Sequence, residues 1–182
     1  KGTIVAIVAG TKSETVINHL QRISSYKRNQ VIEITLDMAN SMKLIARKVF
    51  PKAKQVTDRF HVQKLALEAV QEIRIKLKWE ALDRENEAIT QAKLNKTKFI
   101  TTDFSNGDTA KQLLTRSRFL LYKSQYKWSE NQKERAVILF KEYPELKEAY
   151  LLSQQLRNIY NNNTDKAIAI TKLAHWYNNV EN

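Results

Sequence analysis

Apolar positions along this chain follow two rhythms, and the change between them comes near residue 62. Before that point, short apolar runs suited to strands alternate with stretches of helical period. Residues 3–9, TIVAIVA, form a compact run that predicts a first strand. Ser13 then caps a predicted helix whose Val16, Ile17, Leu20 and Ile23 share one face. A second run, VIEITL at residues 31–36, predicts a buried strand, and residues 40–50 predict a helix that Pro51 terminates. Residues 55–57 predict a third, shorter strand. The last two strands are expected to be parallel, because an intervening helix returns the chain to the same end of a sheet.

After His61 the period is helical almost to the end. A long helix is predicted over 62–89 and a polar loop over 95–108, where Ser105-Asn106-Gly107-Asp108 carries turn chemistry. Three helices follow, at 109–124, 130–143 and 144–160. Ser129 and Gln132 have capping-box spacing for the second of these, and Pro144 suits the first turn of the third. Asn161-Asn162-Asn163 breaks the run, and Thr164 is the expected cap of a last helix through Tyr177. With only three Gly and two Pro, the chain suits long helices better than a turn-rich β fold. The expected fold class is therefore α/β followed by all-α, mostly helical overall, with a strand-helix-strand-helix-strand region at 1–61 and a helical region at 62–182.

The strand ends carry the candidate chemistry. Asp37 closes the 31–36 run and Asp58 follows the 55–57 run, so parallel strands would set both acids at the carboxyl edge of one sheet. Open α/β folds place their ligands at that edge. Neighbouring strands lie about 4.8 Å apart, close enough for two carboxylates to share a cation or a proton. Asp also favours turns at strand ends without any function.

Charge narrows the class of partner. The chain has 31 Lys and Arg against 19 Asp and Glu, a net charge of +12 and a pI of about 9.8. Such a balance favours polyanions, and nucleic acid in particular. Residues 1–61 hold 11 Lys and Arg against 4 Asp and Glu, and residues 62–182 hold 20 against 15, so the first third is the more cationic for its length. Its densest cluster is Lys43, Arg47, Lys48, Lys52 and Lys54, with Arg59 beyond, on the segment that joins the two aspartates. A solvated helix face is the ordinary explanation for such a run. The chain lacks cysteine, which excludes disulfides, thiolate metal sites and cysteine nucleophiles. No apolar run approaches the length of a membrane span, so a cytoplasmic protein without a membrane partner is expected.

The block EITLDMANSMKLIARKVFPKAKQVTDRFHVQKLALEAVQEIR, residues 33–74, resembles bacterial insertion-sequence transposases of the ISL-three group. The resemblance rests on Asp37-Met38, Phe50-Pro51-Lys52-Ala53 and Asp58-Arg59-Phe60-His61-Val62, and it extends to the helical stretch at 129–160. It implies a partial RNase H-like catalytic core followed by a helical insertion. Three acids would hold two Mg²⁺ or Mn²⁺ ions for in-line phosphoryl transfer at DNA ends. Asp37 matches the second acid and would be a metal ligand. Asp58 and His61 match a supporting active-site motif. The first acid and the catalytic Glu have no convincing counterpart, since Glu181-Asn182 does not match the Glu motif. The chain is thus expected to be an internal fragment that is inactive alone and binds no ion stably. It is also expected to self-associate, while the intact enzyme works as an oligomer on element ends and meets the bacterial nucleoid when acting.

Other readings stay open. A non-enzymatic basic helical DNA-binding protein would match the charge, and an inert transposon remnant would match the motifs. His19 and His175 lack any motif and suit structural or surface roles. The aromatic residues Trp79, Phe119, Tyr122, Tyr126, Trp128 and Trp176 could stack on unpaired bases, with Arg116, Arg118 and Lys123 nearby for phosphates. Helical spacing favours a core role for most of them.

Overall fold

A computed structural model describes residues 4–163 and 165–181 of the chain. It divides into two compact units, Lys1–Val62 and Gln63–Asn182.

In the first unit the order is α1 (Ser13–Leu20), α2 (Ser25–Arg28), β1 (Glu33–Leu36), α3 (Asn40–Val49) and β2 (Lys54–Thr57). Helix α1 turns Val16, Ile17 and Leu20 toward Met42, Ile45 and Val49 of α3 and toward Phe50, forming a small apolar core. Arg28 holds α2 in place by donating from Nε to the Ile23 carbonyl at 3.0 Å and from Nη1 to the Val49 carbonyl at 2.7 Å. The second bond satisfies a carbonyl in the last turn of α3. Strands β1 and β2 pair in parallel, from Glu33 opposite Lys54 to Leu36 opposite Thr57.

Two expectations for this unit need correction. The predicted strand at 3–9 is absent among the described residues, although Thr3 itself lies outside them. Ile4, Val5 and Ile7 are exposed instead. An apolar run becomes a strand only by pairing with a neighbour, and here the sheet has two strands, not the three expected. The described region therefore reads helix, helix, strand, helix, strand. In addition, β1 is half-buried and not buried on both faces: Ile34 and Leu36 are partly covered, Glu33 and Thr35 exposed.

Helix α4 (Arg59–Leu94) extends past the predicted 62–89 at both ends. It is followed by α5 (Ala110–Arg116), α6 (Arg118–Tyr122), a 3-10 turn at Gln125–Lys127, α7 (Glu130–Glu142), α8 (Pro144–Asn162) and α9 (Lys166–Glu181). The helix expected over 109–124 is broken at Ser117, whose buried hydroxyl donates to the Leu113 carbonyl at 2.6 Å. The two short helices carry Leu113-Leu114 and Leu120-Leu121, all four fully buried against Val70 and Leu77 of α4, Leu139 of α7 and Tyr150 of α8. The capping box at Ser129 and Gln132 is present, and a second one joins Thr109 and Gln112. Thr164, the expected cap of the last helix, lies outside the described residues. Asp165 caps α9 through its Oδ1, which accepts from the Ala167 and Ile168 amides at 2.7 and 3.1 Å.

The aromatic residues divide. Trp128 packs with Phe140 and Tyr150 at ring separations of 6.2 and 5.5 Å, and its indole donates to the Leu120 carbonyl. Trp176 is partly buried and donates to the Leu152 carbonyl. Trp79, Phe119, Tyr122 and Tyr126 are exposed, which overturns the core assignment for them. Helical spacing places a residue on a face, but only the neighbouring helices decide which face is covered.

Candidate functional site

The parallel register ends with Leu36 opposite Thr57, and the next residue on each strand is an acid. The Asp58 amide donates to the Leu36 carbonyl at 2.6 Å, so the ladder reaches one residue past the strands and brings Asp37 and Asp58 side by side. Both are partly buried. Each carboxylate also closes a turn just ahead of the helix that follows or at its start. Asp37 Oδ1 accepts from the Ala39 amide at 3.0 Å ahead of α3, and Asp58 Oδ1 accepts from the Phe60 amide at 2.9 Å as α4 begins. These turns fix both acids at the sheet edge and orient them through backbone amides that a helix start leaves unsatisfied.

His61 lies in the first turn of α4, with Nε2 3.9 Å from Asp58 Oδ2 and its ring edge-on to Phe60. At that distance the imidazole approaches the carboxylate without a hydrogen bond. The sequence-predicted trio is thus brought to one edge of the first unit.

Helix α3 joins the two acids and is sharply two-sided. Ile45, Ala46 and Val49 are buried, while Lys43, Arg47 and Lys48 are exposed. Lys52 and Lys54 are exposed in the turn and strand beyond it. None of these five cations makes an ion pair among the described residues. Arg59 is exposed at the start of α4.

Other candidates lie elsewhere. His19 is exposed and bonds the Thr15 carbonyl within α1. His175 is exposed on α9, and Glu181 ends that helix in the second unit. Arg116, weighed as a phosphate contact, is paired with Asp108. That buried acid also accepts from Arg135 Nε at 3.0 Å and from the Asn106 amide, a cluster that tethers the 95–108 loop to α5 and α7. Burial pushes the Asp108 carboxyl up, but the hydrogen bonds and charges of Arg135 and Arg116 outweigh it and hold the group below its ordinary value. Sequence reasoning missed this cluster because Asp108 sits in a stretch with loop composition and its partners lie 8 and 27 residues away.

Among the described residues, no group of three or more His, Cys, Asp or Glu is placed to hold a metal ion. Two aspartates, each with one oxygen committed to a turn, do not by themselves fit a two-ion site. No helix among the described residues is long and apolar enough to cross a membrane.

A family model described as Transposase, that of the ISL-three group of DDE transposases, matches residues 1–182. The chain belongs to that family. The match spans both units of this transposase chain, including the helical unit that carries neither Asp37 nor Asp58. Neither a curated protein nor a solved structure matches it.

Proposed function

We propose that this transposase chain contributes to the catalytic core that cuts and joins DNA at insertion-sequence ends, with Asp37 as its metal-binding acid in an RNase H-like arrangement. The observation that carries the reading is the placement of Asp37 and Asp58 as neighbours at the carboxyl edge of the parallel β1–β2 pair. Asp37 supplies one hard oxygen ligand. Asp58 holds the start of α4, and His61 beside it shapes the same edge. A protonated His61 would add a cation toward phosphate.

Around the acids, Lys43, Arg47, Lys48, Lys52, Lys54 and Arg59 hold the DNA backbone. Such contacts position the strand without reading its sequence. The Mg²⁺ or Mn²⁺ ions that this family's chemistry implies would polarise the scissile phosphate. The acids of this chain do not make that site alone, so the reading requires a further Asp and a Glu from outside it, and the isolated chain is expected to show no metal-dependent cleavage.

The test uses a transposase extended to carry all three acids, assayed for strand cleavage and for binding of element ends. Asp37→Ala is expected to abolish cleavage with end binding largely retained. Cleavage at the parental rate in that variant would remove Asp37 from the mechanism.

A further inference from the structure

A groove of about 580 Å³ lies beside the 3-10 turn of the second unit, lined by residues of that turn, α7 and α8. Its lining includes partly buried Trp128 and Phe140, exposed Val137, and exposed Lys133, Lys141 and Lys147. No acid contributes to it. Lys133 is paired with Glu130 at 2.7 Å, whereas Lys141 and Lys147 make no ion pair among the described residues. Its size is within the range of small-ligand pockets, and its chemistry combines aromatic surface with positive charge.

The chain leading into the groove has the same character. Between Asp108 and Glu130 there are five cations and no acid; Lys111 and Arg116 are paired with Glu85 and Asp108, and Arg118, Lys123 and Lys127 make no ion pair among the described residues. Tyr126, next to the groove-lining Gln125, is 82% exposed, with the Lys127 ammonium 5.6 Å from its ring centre. Phe119 on α6 is 66% exposed, with the Arg118 guanidinium 5.5 Å from its ring centre. Arg74 is buried and uses its guanidinium on Gln71 Oε1 and the Leu114 carbonyl, with no carboxylate partner among the described residues. Burial is the main cause that lowers its proton affinity, and the nearby charge of Arg118 adds to it.

An exposed aromatic ring beside an unneutralised cation matches one class of partner well. Unpaired nucleotides offer both a π face for the ring and a phosphate for the cation. Duplex DNA keeps its base faces stacked and offers only the second. We propose that the segment carrying Phe119 and Tyr126, together with the Trp128–Phe140 groove, binds single-stranded DNA. The rings stack on bases while Lys127, Lys141 and Lys147 meet phosphates. This rests on DNA being the partner in the reading above, but it uses none of the residues at the Asp37 edge.

The test is fluorescence anisotropy of the full chain with a labelled oligothymidine and with a mixed-sequence duplex of equal length. Oligothymidine is expected to bind more tightly than its charge alone would give. Tyr126→Ala combined with Val137→Glu should weaken it by about tenfold or more, with duplex affinity nearly unchanged. Both positions are exposed, so an unaltered melting curve is expected and separates lost binding from lost folding. Charge reversal of Lys43, Arg47 and Lys48 should do the opposite, weakening duplex and sparing oligothymidine.

Equal loss for both probes in the double variant, or no loss for either, would overturn the groove. So would a dimer that the variant dissolves while oligothymidine binding stays intact, since the groove would then be a contact between copies. Duplex binding without single-strand binding sinks this inference and leaves the earlier reading standing. Absence of both sinks the two together.

Discussion

At the scale of the residue, the chain uses aspartate in two contrasting ways. Asp37 and Asp58 keep part of their surface in solvent and spend one oxygen each on a turn amide. Asp108 is 1% exposed and has both oxygens bound by guanidinium groups. The second arrangement is structural, and its consequence is measurable. Asp108→Asn is expected to lower the stability of the second unit by about 2 kcal/mol, the scale of hydrogen bonds to a charged group, reduced here by the exposure of Arg116. Because the folded carboxyl titrates below its unfolded value, its contribution is complete above about pH 4 and disappears as the pH falls through the folded value. Urea unfolding of wild type and variant at neutral and acidic pH checks this. The gap between them should narrow on the acid side, and a constant gap would show that the charge of Asp108 contributes nothing.

At the scale of the element, α3 has two separate tasks. Its buried face of Ile45, Ala46 and Val49 builds the small core of the first unit, and its exposed face presents Lys43, Arg47 and Lys48 between the two acids. Each phosphate that such a cation neutralises adds about 0.9 to the log-log salt slope of duplex binding. Reversing the three charges should flatten that slope by about 2 to 3. A titration whose slope is unchanged would place the duplex contacts elsewhere. The face itself was legible in advance, since the apolar spacing of α3 predicts which residues turn outward. Helix α6 shows where that approach stops. Leu120, Leu121, Phe119 and Tyr122 are all apolar or aromatic, yet the leucines are buried and the rings exposed. Only the packing of α4, α7 and α8 against one side of α6 makes that choice.

At the scale of the whole molecule, β1 and β2 each leave one edge unpaired among the described residues, Ile32 is exposed directly before β1, and Ile4, Val5 and Ile7 are exposed in the segment ahead of α1. Free edges beside exposed apolar residues are templates for pairing with another chain. Self-association of the chain is therefore expected in light scattering as concentration rises, and Ile7→Lys with Ile32→Lys should reduce it. A monomer at high concentration in the wild type would end this expectation.

By itself, the sequence determined the parallel pairing and the meeting of Asp37 with Asp58, because the strand-helix-strand order admits one common hand of connection and the acids sit at matching positions on their strands. It also determined the capping box of α7, since capping belongs to residues a few positions apart. Tertiary structure alone decided that residues 4–9 stay outside the sheet, that Tyr126 is exposed while Trp128 two positions later is packed, and that Asp108 is buried between two arginines. Strand pairing, burial and charge neutralisation each need a partner supplied by a distant part of the chain, and no local pattern records whether that partner arrives.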